Sequence, residues 1–585
     1  MSLTKLTCAI TLGTAFGVAL AAQTISSVAD AAMRRDSVAV RALLLKGADV
    51  DAAQGDGMTA LHWAAFNGDL KTMDVLLLAK AKTESPTRLG GYTPLHLASS
   101  RGHAAAVARL LEAGSAPRAL TTTGVQPIHL AAEAGSADAV KALVDRGADV
   151  NARDATHGRT PLVFAVSQNR LGAMKVLVAA GADVTLPTKV IDYVARSAAD
   201  NADRQARDRG ITAATGRATN SNLNINDPPP PGQTSGAAGA AAGQGRAGGR
   251  GAGGAPGMRG PSDIEQIGRQ GGFTAMHYAV RDGFADAAFL LLESGLDVNT
   301  ASSGDRSSPM LVAVINGQYD LAMALLARGA DPNLASDDGV APLFAVLNNE
   351  WALRTWYPQP TAGTQQRATY LQVMEALLET GADPNARTRS HIWYAAYNTG
   401  RMGVEFTGAT PFWRAAYALD VEAMQLLVRH GADPAIPTMT FGVASRGATD
   451  QSGLPAVPPG GPHVPPFHAA SGVGYGTSRV AQQHRHVPDG WMPAAKYFLE
   501  ELGVDVNLRD ADGFTALHHA AARGDNAMIL YLVKRGANVM AVNRAGQTTV
   551  DMANSPEQRT QPFPETIKLL ESMGARNNHN CRACK

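Results

Sequence analysis

One short motif recurs through this chain at a nearly constant spacing, and that spacing limits the fold more than any other feature. Thr59-Ala60-Leu61-His62-Trp63-Ala64 is followed by Thr93-Pro94-Leu95-His96-Leu97-Ala98, then by Gln126-Pro127-Ile128-His129-Leu130-Ala131 and Thr160-Pro161-Leu162-Val163-Phe164-Ala165. The steps are 34, 33 and 34 residues. Thr274-Ala275-Met276-His277 begins a second run, continued by Ser308-Pro309-Met310 and Ala341-Pro342-Leu343, and Thr515-Ala516-Leu517-His518 and Thr548-Thr549-Val550 form a third. A second signature ends the units: Gly47-Ala48-Asp49-Val50-Asp51, Gly147-Ala148-Asp149-Val150-Asn151, Gly329-Ala330-Asp331-Pro332-Asn333 and Gly381-Ala382-Asp383-Pro384-Asn385, with weaker versions from Gly295, Gly431, Gly503 and Gly536. A unit of this size cannot bury its own apolar face, so its neighbours must cover it.

The residue types write a helix-turn-helix. Thr before Pro supplies a side-chain N-cap and a residue pre-set for the first helical turn. Leu, His and paired Ala then allow a close helix contact, and Gly68, Gly102 and Gly135 fall where that helix has to stop. Val140, Leu143 and Val144 repeat at helical spacing in the second helix, Gly147 ends it, and Asp149 to Asn151 are turn formers. Motifs and period together resemble the ankyrin repeat over most of the chain. The resemblance implies an all-α solenoid with short β-hairpin loops and a protein-binding role for its concave, hairpin-bearing face. About eleven units are expected. They include a shortened polar cap from Val28 to Asp51, with Arg34, Arg35, Asp36 and Arg41, and a disguised unit formed by Pro466-Phe467-His468-Ala469-Ala470 and Ala494 to Val506.

Four interruptions break the period. Asp183 and Thr274 lie 91 residues apart, where Asp149 and Thr160 are separated by 11. This excess reads as a helix from Val190 to Arg207, then Pro228 to Pro231 and a Gly/Ala run from Gly236 to Gly257 that cannot build a core. An eightfold longer loop costs only ~2 kcal/mol in closure entropy, against ~10 kcal/mol from a repeat interface burying ~500 Å² of apolar surface, so the flanking repeats are expected to stack. The others are Asn349 to Arg367, Arg387 to Gly408, and Phe441 to Trp491. The domains expected are a leader at 1–21, an N-terminal array at 24–187, a disordered insertion at 188–263, a central array at 264–440, a degenerate repeat at 441–507, closing repeats at 508–577 and a tail at 578–585.

Between Phe344 and Phe498 lie 18 of the 32 aromatic residues. Trp and Tyr anchor both folded-back loops and binding hot spots. The candidate partner-binding residues are therefore Trp351, Trp356, Tyr357, Trp393, Tyr394, Tyr397, Trp413 and Trp491, with loop packing as the competing reading. Those histidines that sit in the repeat motif, His62, His96, His129, His277 and His518, occur once per unit, and the resemblance implies bonds to Thr and neighbouring backbone rather than a metal. His484 and His486, with His463 and Asp489 nearby, lack an assignable third and fourth zinc ligand. No nucleophile elbow, phosphate loop or paired-carboxylate pattern is present, so no catalytic residue is assigned.

With 52 basic and 51 acidic residues the chain offers no field for nucleic acid or an anionic membrane. Lys5, the apolar Leu6 to Leu20 and Ala19-Leu20-Ala21 read as a cleavable leader, too short to span a bilayer. The excess of Arg over Lys and the abundance of Gly and Ala suggest a bacterial source, and the leader implies export, periplasmic or secreted. Cys581 and Cys584 form a Cys-x-x-Cys, expected as a disulfide in an oxidising compartment. The alternative is c-type haem attachment, with Lys585 where the usual His would stand. The function expected is a non-catalytic scaffold that binds another protein, or a ligand, through the concave face outside the cytoplasm. The rivals are a redox accessory protein using Cys581 and Cys584, and a hydrolase built on the insertions.

Overall fold

The computed structural model describes residues 27–215, 262–352, 361–390, 392, 404–443, 450, 452–475, 485–555 and 561–581. The expected leader, the Pro/Gly/Ala-rich run and Trp356, Tyr357, Trp393, Tyr394, Tyr397, His484 and Cys584 lie outside them.

Among the described residues the chain forms 26 α-helices, and 24 of these make twelve consecutive pairs, one more than the motif search counts. The overlooked pair is Pro411–Tyr417 with Val421–Arg429, opened by Thr410-Pro411. Local chemistry starts and stops the helices as expected. The Thr59 backbone N–H donates to His62 Nδ1 at 3.1 Å, and the Thr59 side chain caps the Ala60–Asn67 helix. Gly68 ends that helix at φ 65, where a side chain would also strike the His103 ring.

Two compact units divide the chain: Met1–Thr156 with Gly172–Gly181, and His157–Leu171 with Ala182–Lys585. In the first, Val28–Met33 packs on Ala60–Asn67, that helix on Pro94–Ser100, and Pro94–Ser100 on Pro127–Ala134. Ala64, Ala98 and Ala131 are fully buried at these contacts, with Leu61, Leu95 and Ile128 between them. Each such large side chain contributes about 1.5–3 kcal/mol of transfer free energy. The opening pair is less polar than expected: Val38 and Leu45 remain 79% and 83% exposed.

In the second unit, Pro161–Ser167 packs on Ala275–Arg281, which packs on Pro309–Ile315. Pro342–Glu350, Pro411–Tyr417, Pro466–Ala469, Ala516–Arg523 and Thr549–Ala553 follow in turn. The repeats on either side of the longest insertion do stack. Thr188 N–H donates to Phe273 O at 2.9 Å, and Val190–Asp192 pairs antiparallel with Arg269–Gly271, so the insertion grows from a hairpin stem. Its helix runs Tyr193–Thr215, three residues later in starting and longer than the sequence suggests, because the first three residues are taken by the strand. In the disguised repeat the second helix is Trp491–Lys496 continued by a π-helical turn Tyr497–Glu501.

Candidate interaction surface

Two backbone-linked ladders fix where each repeat's side chains point. The motif histidines form the first: His62 Nε2 meets Tyr92 O at 3.0 Å, His96 meets Val125 O at 3.1 Å, His277 meets Ser307 O at 3.0 Å and His468 meets Phe514 O at 3.0 Å. Burial holds His96, His277 and His468 down at about 4, so these rings are neutral and structural. A second ladder uses the Asn that closes the Gly-Ala-Asp signature. Asn333 Nδ2 donates to Gly381 O at 2.9 Å and its Oδ1 accepts from Asp383 N at 2.7 Å. Asn385 does the same with Gly431 O at 3.0 Å and Asp433 N at 2.8 Å. The recurrence of Asn five residues into that signature carried this information, but turn propensity accounted for it without a bridge.

Hairpins from successive repeats are also joined edge to edge. Arg389 N donates to Asp338 O, Met439 N to Thr407 O, Ala511 N to His463 O and Arg544 N to Asp512 O. Placed against this frame, the insertions of the second unit fall into two classes. Those spanning 188–273, 388–409 and 438–464 leave from hairpin tips. Those spanning 351–369 and 471–490 leave from the turn between the two helices of a repeat.

The hairpin insertion at 388–409 has a buried root. Thr388 N donates to Ala409 O at 3.1 Å and Gly408 N to Thr388 O at 2.9 Å, while Ile392, Val404 and Phe406 are buried. Its sequence carries Trp393, Tyr394 and Tyr397. The next one, 438–464, prolongs its hairpin through the Met439–Pro462 and Val443–Val457 bridges.

The candidate aromatics within the described residues serve the packing. Trp413 is 0% exposed and offers no surface to a partner. Aligned on Thr410-Pro411, it stands at the histidine position of the motif, and its Nε1 donates to Val464 O at 2.9 Å as the histidines do in other repeats. Its ring stacks on Tyr417 at 5.3 Å. That assignment from sequence is corrected: Trp413 is a core residue that replaces a ladder histidine.

Trp351 and Trp491 are half-buried at the helix-turn edge. Trp351 Nε1 donates to Asp420 Oδ2 at 3.0 Å, beside the Tyr370 hydroxyl at 2.8 Å, and Asp420 Oδ1 caps the Val421–Arg429 helix. Arg414, pulled down to about 10 by burial, donates Nη2 to Trp351 O at 3.0 Å and Nε to Asn348 Oδ1 at 3.1 Å. Arg485 Nη1 donates to Glu350 O at 2.6 Å and to Ala352 O at 3.1 Å, tying one turn insertion to the other. Trp491 lies 3.7 Å from the Arg523 guanidinium carbon, with His486 5.0 Å away.

His463 and His486 are thus in different surroundings. Burial pulls His463 down, but Asp512, 3.5 Å from its Nε2, raises it above its ordinary value. Burial and the Asp512 charge push neighbouring Asp510 well above the usual carboxylate range. His463 Nδ1 is buried without a hydrogen-bond partner among the described residues. No His, Cys, Asp and Glu group among the described residues could hold a metal ion, and none of the described helices is long and apolar enough to cross a membrane. Cys581 is disulfide-bonded and 5% exposed.

Stacked helix pairs joined by hairpins, with a histidine ladder, define a helical repeat protein of the ankyrin class. The chain belongs to the ankyrin-repeat family. The profile described as "Ankyrin repeats (3 copies)" matches residues 28–120, 107–188 and 259–348, and "Ankyrin repeats (many copies)" matches 494–553, together just over half the chain. The stretch between 349 and 493, unmatched by either, holds the whole of one helix pair, Pro411–Tyr417 with Val421–Arg429, parts of two others and all four of the smaller insertions. Human "Ankyrin repeat and SOCS box protein 3" is 36% identical over 102 residues, 17% of this chain and 20% of that protein. "Palmitoyltransferase AKR1" of Lachancea kluyveri is 39% identical over 67 residues, 12% and 9% of the two chains. Human "BCL-6 corepressor-like protein 1" is 41% identical over 86 residues, 15% and 4%. The chain spans a fifth or less of each of these relatives, and the likeness is confined to ankyrin repeats.

Proposed function

We propose that this chain is a non-catalytic scaffold that binds another protein through the hairpin edge of its second unit, outside the cytoplasm. The observation that carries this reading is the placement of the insertions: three of the five leave from hairpin tips, and one of those three holds Trp393, Tyr394 and Tyr397 on a buried root. Aromatic side chains on a fixed base bring large contact area at little entropic cost. Trp351 and Trp491 instead hold the turn-edge insertions in place, and Trp356 and Tyr357 belong to the first of these. Location rests on the leader-like N-terminus and gains support from the disulfide at Cys581.

Affinity capture from the exported fraction, with mass spectrometry, identifies the partner. Replacing Trp393, Tyr394 and Tyr397 by Ala lowers capture at least tenfold and leaves helical content and the melting curve unchanged. Replacing Trp356 and Tyr357 by Ala leaves capture intact. Equal capture by all three proteins removes the hairpin edge from the reading.

A further inference from the structure

Arg544 stands at the tip of a hairpin, where the equivalent residues of earlier repeats, Arg88 and Thr122, are exposed. Arg544 is 3% exposed. What covers it is a segment of the insertion between Val443 and Val457. Arg544 Nη1 donates to Asp450 Oδ2 at 2.7 Å and to Leu454 O at 2.9 Å, Nη2 donates to Pro455 O, and Nε is held by Ala511 O at 2.6 Å. One hairpin earlier, Arg509 Nη1 donates to Ser452 O at 2.9 Å while Nη2 reaches Val542 O, and its Nε is buried without a partner. Gly513, at φ 84, lies against the Asn543–Arg544 backbone, with Leu454 beside it: a Cβ there would stand 3.2 Å from Arg544 N and 3.4 Å from Leu454 Cδ1.

These contacts have the chemistry of peptide recognition. Two guanidiniums take three main-chain carbonyls and one carboxylate, and one apolar side chain lies beside a glycine. The segment presents these groups from a turn: Asp450 Oδ1 accepts from the Ser452 N–H and hydroxyl, Ser452 Oγ accepts from Leu454 N–H at 3.2 Å, and Gly453 stands at φ 70, while the carboxylate and the apolar side chain read sequence. The Ser452 hydroxyl, with Arg544 behind it, holds the Asp450 carboxyl at about 2, so it is charged at any physiological pH. Asp450 and Arg544 side chains are 4% and 3% exposed, a desolvated pair rather than a surface one.

We propose that the hairpin tips bearing Arg509, Gly513 and Arg544 form a binding site for a turn-forming peptide with an acidic residue four positions ahead of an apolar one, and that Asp450 and Ser452 to Pro455 of the same chain occupy it. The site is closed in cis. A partner segment of that chemistry opens it by displacing the insertion. This rests on the reading of the hairpin edge as the interaction surface, but not on Trp393, Tyr394 or Tyr397, so either claim can fail while the other stands.

The test uses a fluorescent peptide with the sequence from Gly447 to Val457. It is titrated against the intact chain and against a full-length variant whose residues 446–455 are replaced by a short Gly-Ser linker. A tethered segment competes at an effective concentration on the order of mM, so the peptide binds the variant saturably and the intact chain at least tenfold more weakly. Binding to the variant is lost with Arg544→Gln, or when the peptide carries Asp450→Asn. Equal binding to both chains, retention of binding by Arg544→Gln, or no binding to a variant that melts cooperatively overturns the proposal. Should the variant not fold, the intact chain with Asp450→Asn decides: its Gly453 and Leu454 amides exchange at least tenfold faster while the Ala516–Arg523 and Asn526–Lys534 helices stay protected. Unchanged exchange overturns it.

Discussion

Acid should loosen this protein repeat by repeat, through the neutral histidines of its ladder. His277 shows the arithmetic. Its Nδ1 accepts from Thr274 N–H at 3.2 Å and its Nε2–H faces Ser307 O at 3.0 Å, so both nitrogens are committed to the neutral ring. Burial lowers it from an ordinary 6.5 to about 4. The unfolded ring therefore takes up its proton first. The histidine's contribution is complete above pH 6.5 and is lost as pH falls toward 4. Between pH 7.5 and pH 5 that loss is about 2 kcal/mol, rising by about 1.4 kcal/mol for each further pH unit until the native ring also protonates. Because neighbours in a repeat stack open locally, the loss registers in the Ala275–Arg281 and Pro309–Ile315 helices. Hydrogen exchange of those helices, corrected for the intrinsic rate, should show protection falling by roughly thirtyfold between pH 7.5 and 5. His277→Gln keeps a donor near Ser307 O and cannot titrate, so its protection should lose that pH dependence. A variant with the same pH slope as the natural chain would refute the assignment of that slope to His277.

Other substitutions follow from the same contacts. Trp413→Phe keeps a ring in the core but leaves Val464 O without its donor, lowering stability by about 1–2 kcal/mol in urea unfolding, whereas Trp413→Ala costs about 3–5 kcal/mol. An unchanged midpoint for both would place Trp413 outside the core. Asn385→Ala removes two inter-repeat bonds and should speed exchange at Asp433 by about fivefold, equivalent to about 1 kcal/mol, with helices of the first unit unaffected. N-terminal sequencing of protein from its native source should begin near Ala22, and an intact Met1 or Ser2 there would count against the leader.

The repeat was legible because it is written redundantly. Thr59, His62 and Gly68 each carry a separate physical signal for one helix, and the same set returns at Thr93, His96 and Gly102. Legibility failed where one residue type replaced another in the same role. Thr410-Pro411-Phe412-Trp413 satisfies the cap and the turn, but with a tryptophan in the histidine's place the opening motif escapes the count, although the unit's closing signature at Gly431 is legible. Both residues present a ring N–H at the end of a rigid planar side chain, and that shared geometry, not polarity, is what the next repeat's carbonyl requires. The cis contact of Asp450 with Arg544 was invisible for a different reason. Nothing in either local sequence distinguishes a buried ion pair from two solvated charges 94 residues apart.

The two classes of insertion answer different physical demands. A turn between helices is short because helix ends must be capped close to where they stop, so lengthening it exposes polar ends and helix sides that need cover. The chain meets that demand with Asp420, Arg414 and Arg485, which bind turn insertions to one another and to the repeat beneath, and Trp351 and Trp491 are spent in doing so. A hairpin tip makes no such demand. Its strands already satisfy each other, and Val443 with Val457 simply extends the pairing outward. Extra residues there are free to be selected for what they contact. One such segment contacts its own array through Asp450, Leu454 and Pro455. The aromatic-bearing segment on the preceding hairpin leaves a root of similar construction, at Thr388 and Ala409, so the same freedom from capping demands applies to it.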